Sequence, residues 1–153
     1  MANTYTQLNV QTVFAVKGRA NILTSNVRNQ LVAYIAGILK NTKQYPLAIN
    51  GSQDHVHIFF EIYPDTSLSK VLEIVKSNSS KWINTNRFTQ GHFEWQRGYS
   101  GFTYSKSQRN NVNQYIINQD NHHKTKSFKE EYLDILKKFE LEYDDRYIFE
   151  FYE

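Results

Sequence analysis

The chain has 153 residues, 40% hydrophobic and 15% aromatic, enough for one domain with a buried core, and no window approaches the roughly 20 apolar residues that span a bilayer. It has no cysteine, which excludes disulfides, thiolate zinc sites and thiol nucleophiles; with an N-terminus, MANTYTQLNV, lacking a basic-then-apolar leader, a cytoplasmic protein is expected. Residues 1–139 hold 17 Lys and Arg against 9 Asp and Glu, a balance of +8, while the last fourteen carry −5; a basic body favours a polyanionic partner, although scattered lysines also serve solubility alone.

In TQLNVQTVFAVK, Leu8, Val10, Thr12, Phe14 and Val16 alternate with Gln7, Asn9 and Gln11, the pattern of a half-buried strand. SNVRNQLVAYIAGILKN places Val27, Leu31, Ile35, Ile38 and Leu39 at helical spacing, with Ser25 as the expected N-cap. YPLAIN and DHVHIFFEI, separated by Gly51-Ser52-Gln53, read as a hairpin pair. A second amphipathic helix follows, striped by Leu68, Val71, Leu72, Val75, Ser79 and Trp82. Residues 85 to 97 are polar and irregular, GYSGFTYSK is a fourth strand, and two further helices close the chain. The order β-α-β-β-α-β predicts a ferredoxin-like α+β fold, an antiparallel sheet with helices on one face, to which the C-terminal helices are added. A single domain is expected, with a core at 6–107, a helix at about 108–123, and a C-terminal helix with acidic tail at 127–153.

Successive side chains of a strand point to opposite faces. Val56, Ile58, Phe60 and Ile62 therefore take the face toward the helices, and His55 and His57 share the other with Asn9 and Gln11. Such a pair suits metal ligation, and it equally suits two hydrogen-bonded structural histidines. Asp54 either orients one imidazole or ends the hairpin turn. At about 100° per residue, Val112, Tyr115, Ile116 and Gln119 fall on one side of the late helix, joined by His123 if it runs that far. A glutamine on an apolar face needs partners for its amide. His122 and His123 read as a metal box or as imidazoles at the favourable end of a helix dipole. Lys17, Arg19, Lys76, Lys81, Arg87 and Arg109 are candidate phosphate contacts as a group.

Taken together, QDHVHIFF on the third strand, SLSKVLEIVKSNSSKWI, GYSGFTYSKS and VNQYIINQDNHHKTKSF resemble the single-tyrosine HUH transposases of small bacterial insertion sequences, in order and spacing over residues 6 to 136. His55-Val56-His57 matches the histidine–bulky apolar–histidine motif, and YIINQDNHH joins a tyrosine to a glutamine four residues on. The resemblance implies that Tyr115 is the nucleophile. It implies that His55, His57 and Gln119 hold Mg2+ or Mn2+. The implied substrate is single-stranded DNA with hairpins at the element ends, and the implied assembly is a homodimer in which the tyrosine helix acts in trans. Residues 85 to 97, the acidic tail, His122 and His123 take no role from it. Two other readings stay open: an HUH nickase or domesticated transposase with another task, and a non-catalytic ferredoxin-like module that binds nucleic acid on an open sheet face.

Overall fold

The N-terminal alternation forms β1 (Asn9–Ala15), a strand buried along its whole length. The computed structural model describes residues 3–18, 22–122 and 125–151. After β1 come α1 (Ser25–Asn41), β2 (Tyr45–Gly51), β3 (His55–Glu61), α2 (Leu68–Asn86), β4 (Ser100–Tyr104), a 3-10 turn at Lys106–Gln108, α3 (Arg109–Ile117), α4 (Gln119–His122) and α5 (Phe128–Lys138). The strands pair antiparallel in the order β2-β3-β1-β4, the ferredoxin-like arrangement expected from the element order.

Local chemistry sets the element ends. Thr24, not Ser25, caps α1: it is extended (φ −63°, ψ 161°) and its side chain accepts from the Val27 N–H, whereas Ser25 is already helical. Ser67 and Ser127 cap α2 and α5 in the same way. Gly51 closes the β2–β3 hairpin because a Cβ there would lie 2.2 Å from the His55 carbonyl oxygen. The helix expected at about 108–123 is interrupted at Asn118, whose N–H bonds the carbonyls of Gln114 and Ile116 as the backbone leaves helical geometry.

Both faces of the sheet are covered. Val10, Phe14, Val56, Ile58 and Phe60 pack with α1 and α2 residues such as Leu31, Ile35, Val71 and Leu72. On the opposite face Phe59 meets Val112 and Ile116 of α3, and Phe102 stacks on Phe139 just beyond α5. A helix thus occupies the surface that the binding-module reading requires to be open. Phe60 is fully buried in the first layer. Phe60→Ala is expected to cost about 3–5 kcal/mol in denaturant unfolding; a loss under about 1 kcal/mol would contradict this packing.

The tail is tied back onto the body. The Gln96 side chain donates to the Glu150 carbonyl at 2.8 Å and accepts from the Glu150 N–H at 2.7 Å. Phe149 and Phe151 join the aromatic cluster around Phe128 and Tyr132. Among the described residues, no helix is long and apolar enough to cross a membrane.

A candidate catalytic and metal centre on the second sheet face

The β1–β3 register sets Ala15 opposite His55 and Val13 opposite His57, and these small neighbours leave room for both rings on the face toward α3 and α5. The imidazoles are fully buried and meet edge to face, with centroids 5.2 Å apart. Phe128 lies flat on His55 at 3.8 Å. Asp54 Oδ1 accepts from His55 Nδ1 at 2.8 Å, the ring-orienting arrangement, and the Asp54 carbonyl accepts from the Val16 N–H just beyond β1. On His57, Nδ1 lies 2.9 Å from Gln11 Nε2, and Gln11 is held in turn by the Tyr104 hydroxyl at 2.8 Å.

Three side chains, Gln119, Glu131 and Tyr115, gather where the two Nε2 atoms point. Gln119 Oε1 lies 3.2 Å from His55 Nε2. Glu131 Oε1 lies 3.3 Å from His55 Nε2 and 3.1 Å from His57 Nε2. Glu131 Oε2 accepts from Gln119 Nε2 at 3.1 Å and from the Tyr115 hydroxyl. Although α3 ends before Gln119, the residue starts α4 and is itself fully buried. One copy of the chain therefore brings Tyr115 and Gln119 to its own His55 and His57.

The electrostatics follow from burial and from Glu131. Burial works to lower the His55 pKa, but hydrogen bonds to Asp54 and Glu131, with their negative charge, raise it overall to about 9. For Tyr115, burial is the largest influence and the Glu131 charge and hydrogen bond add to it, so the phenol is pushed well above its ordinary value and stays protonated near neutrality. Burial likewise raises Tyr104, to about 12.

The donor set fits a divalent ion. Bonds of about 2.1 Å place neighbouring ligand atoms about 3–3.5 Å apart, and the separations of 3.1 to 3.3 Å between these nitrogens and oxygens fall in that interval. Imidazoles with amide and carboxylate oxygens suit Mn2+; Mg2+ favours more oxygen. A cavity of about 670 Å³ opens beside the cluster, lined by Gln11, Tyr104, Tyr115, Glu131 and Lys138 among others, which is room for a nucleotide-sized ligand.

The six basic candidates have separate fates. Lys17, Lys76 and Lys81 line one groove of about 850 Å³ with Arg97 and Arg146. Within it Lys17 pairs with Glu94 at 3.2 Å, and Lys76 donates to the carbonyls of Gln96 and Gly98, each at 2.8 Å. Arg87 is the left-handed C-cap of α2. Arg109 donates to Asn9 Oδ1 at 2.9 Å and Glu61 Oε2 at 2.8 Å, anchoring the start of α3 to the sheet. Asn50 anchors its end through the Ile117 carbonyl at 3.0 Å. Arg19, His123 and the side chain of His122 lie outside the described residues.

Glu131 is the residue that sequence reasoning missed. A signal existed: at about 100° per residue Glu131 lies beside Phe128, Tyr132 and Ile135 on the apolar side of α5, and a carboxylate placed there needs a buried partner.

Residues 4–119 match the family described as IS200-like transposases. The crystal structure of a transposase candidate from Deinococcus radiodurans R1 is similar, with a TM-score of 0.62 and 22% identity, covering 76% of this chain and 94% of that one. A REP-associated tyrosine transposase bound to a REP hairpin is similar over 99% of this chain and 94% of its own, with a TM-score of 0.57 and 15% identity. No curated protein matches the chain.

Proposed function

The chain belongs to the IS200-like transposase family, and from that premise we propose that it cleaves and rejoins single-stranded DNA at element ends through a 5′-phosphotyrosine on Tyr115, using Mg2+ or Mn2+ held by His55, His57 and Gln119. The observation that carries the reading is the meeting of the phenol, both imidazoles and the glutamine around one point on the second sheet face. When bound, the ion would neutralise charge on the scissile phosphate and align it.

This chain's own residues do the rest. Tyr115, on the wall of the cavity, supplies the oxygen that attacks phosphorus. The phosphorus–O3′ bond breaks, the 5′ phosphate stays on tyrosine, and the departing 3′ oxygen takes up a proton as the phenol loses one. A phenol leaves readily, so a 3′-hydroxyl can attack the phosphotyrosine and restore a phosphodiester with no external energy source. That property suits strand transfer better than hydrolysis. Gln11 and Tyr104 hold His57 from behind, and Asp54 holds His55, so both rings are aimed before substrate arrives.

Lys17, Arg19, Lys76, Lys81, Arg87 and Arg109 remain the proposed DNA-binding group, with the groove around Lys17, Lys76 and Lys81 as its centre. A hairpin ligand is supported by the REP hairpin held by the similar transposase. The homodimer with trans action implied by the resemblance would have α3 exchanged between copies, with its bonds to Asn9, Glu61 and Asn50 made on the partner.

The test is a denaturing gel of the protein incubated with a single-stranded oligonucleotide from the element's own ends, with Mn2+ or Mg2+. A protein band shifted by covalently attached DNA is expected. Free cleaved DNA with no attached protein would refute the tyrosine mechanism.

A further inference from the structure

We infer that Glu131 is a fourth protein ligand of the ion, bound through Oε1, while its Oε2 positions the Tyr115 hydroxyl. The inference rests on the metal reading above and adds to it a residue from α5, beyond the matched stretch of 4–119.

Three observations carry it. Oε1 stands 3.3 Å from His55 Nε2 and 3.1 Å from His57 Nε2, the spacing of atoms sharing one coordination shell. His55, His57 and Glu131 also form a set whose candidate ligand atoms all lie within 4.8 Å of one another. Next, charge: His55, His57 and Gln119 are each 0% exposed, and as ligands all three are neutral. A dication among them alone would have no anion in its own shell, the Asp54 carboxylate lying behind the His55 ring at Nδ1, and the Glu131 side chain, 3% exposed, supplies one. Finally, the carboxylate sits on a rigid element. Ser127 caps α5, and Phe128 is stacked on the His55 ring, so Glu131 reaches the histidines from a helix fastened to one of them.

The same carboxylate therefore touches the prospective metal position with one oxygen and the nucleophile with the other. Gln119 also hydrogen-bonds the phenol; Glu131 adds a second, charged connection between the phenol and the ion. Its role toward Tyr115 is positioning, and its role toward the ion is direct.

The rival role is a counter-ion that merely occupies the histidines in the metal-free protein. The two roles differ in sign. Removing a ligand weakens metal binding, whereas removing a competitor for the same imidazoles strengthens it. The experiment is calorimetric titration of the full chain with Mn2+, for wild type, His57→Ala and Glu131→Gln, with circular dichroism to confirm folding. Glu131→Gln keeps shape and removes charge, and is expected to weaken Mn2+ binding by about tenfold or more. Unchanged or tighter binding in a folded Glu131→Gln, with binding lost in His57→Ala, overturns the ligand role and leaves the metal reading standing. No Mn2+ binding by wild type overturns both. As a measurement needing no Glu131 variant, the infrared difference spectrum of wild type on adding Mn2+ is expected to show a displaced carboxylate stretch that His57→Ala lacks. Absence of that band from wild type overturns the ligand role.

Discussion

Tyr115→Phe is expected to abolish the covalent protein–DNA adduct completely while leaving hairpin binding intact. The substitution removes one oxygen. The ring keeps its packing beside Phe59, Val112 and Ile116 and its edge contact with His57, at 5.9 Å between centroids. What is lost in the folded protein is the hydroxyl's hydrogen bonding to Glu131 Oε2 and Gln119, while Glu131 Oε2 retains Gln119 Nε2 as a partner. The stability change should therefore stay within about 1–3 kcal/mol. Phenylalanine has no nucleophile, so a purely structural effect predicts slower adduct formation whereas the proposed chemistry predicts none. The readout is the denaturing gel, with a filter or mobility assay for binding. An adduct of undiminished yield would end the assignment of Tyr115.

Replacing both His55 and His57 by alanine is the second large effect: cleavage in Mn2+ or Mg2+ should disappear and calorimetric Mn2+ binding with it. Hairpin binding should survive, because the proposed phosphate contacts lie on other residues. The variant has a structural cost. Glu131 loses both imidazole partners while remaining buried and keeps its bonds to Tyr115 and Gln119; breaking a buried charge pair costs about 3–5 kcal/mol. Thermal melts must accompany the assay, and the single His57→Ala, which leaves His55 beside Glu131 at 3.3 Å, separates loss of chemistry from loss of fold. Cleavage by wild type that proceeds equally well in chelator would defeat the metal hypothesis.

The buried cluster also explains which parts of the site were legible beforehand. His55 and His57 could be placed together because a strand has period two and the apolar set at Val56, Ile58 and Phe60 identifies the opposite face. Tyr115 and Gln119 could be placed together because they are four residues apart. Their convergence still survives a break that the spacing does not foresee, at Asn118. Glu131 escaped because it sits in a lysine- and glutamate-rich segment, where a carboxylate ordinarily faces water. Only the packing of Phe128 and Tyr132 turns that side of α5 inward. Arg109 shows the converse. Its charge suggests a phosphate contact, and its partners within the fold are Asn9, 100 residues away in sequence, and Glu61, 48 away.

Element order, two-faced strands and the residue types proposed for metal and nucleophile are legible in the chain before it folds, because periodicity and side-chain chemistry are local properties. Tertiary structure alone decided that α3 and α5 cover the second face, that one copy gathers the phenol, amide and imidazoles, and that a carboxylate from α5 joins them. Those outcomes depend on which distant segments pack together, and packing is settled by the shape and burial of the whole chain.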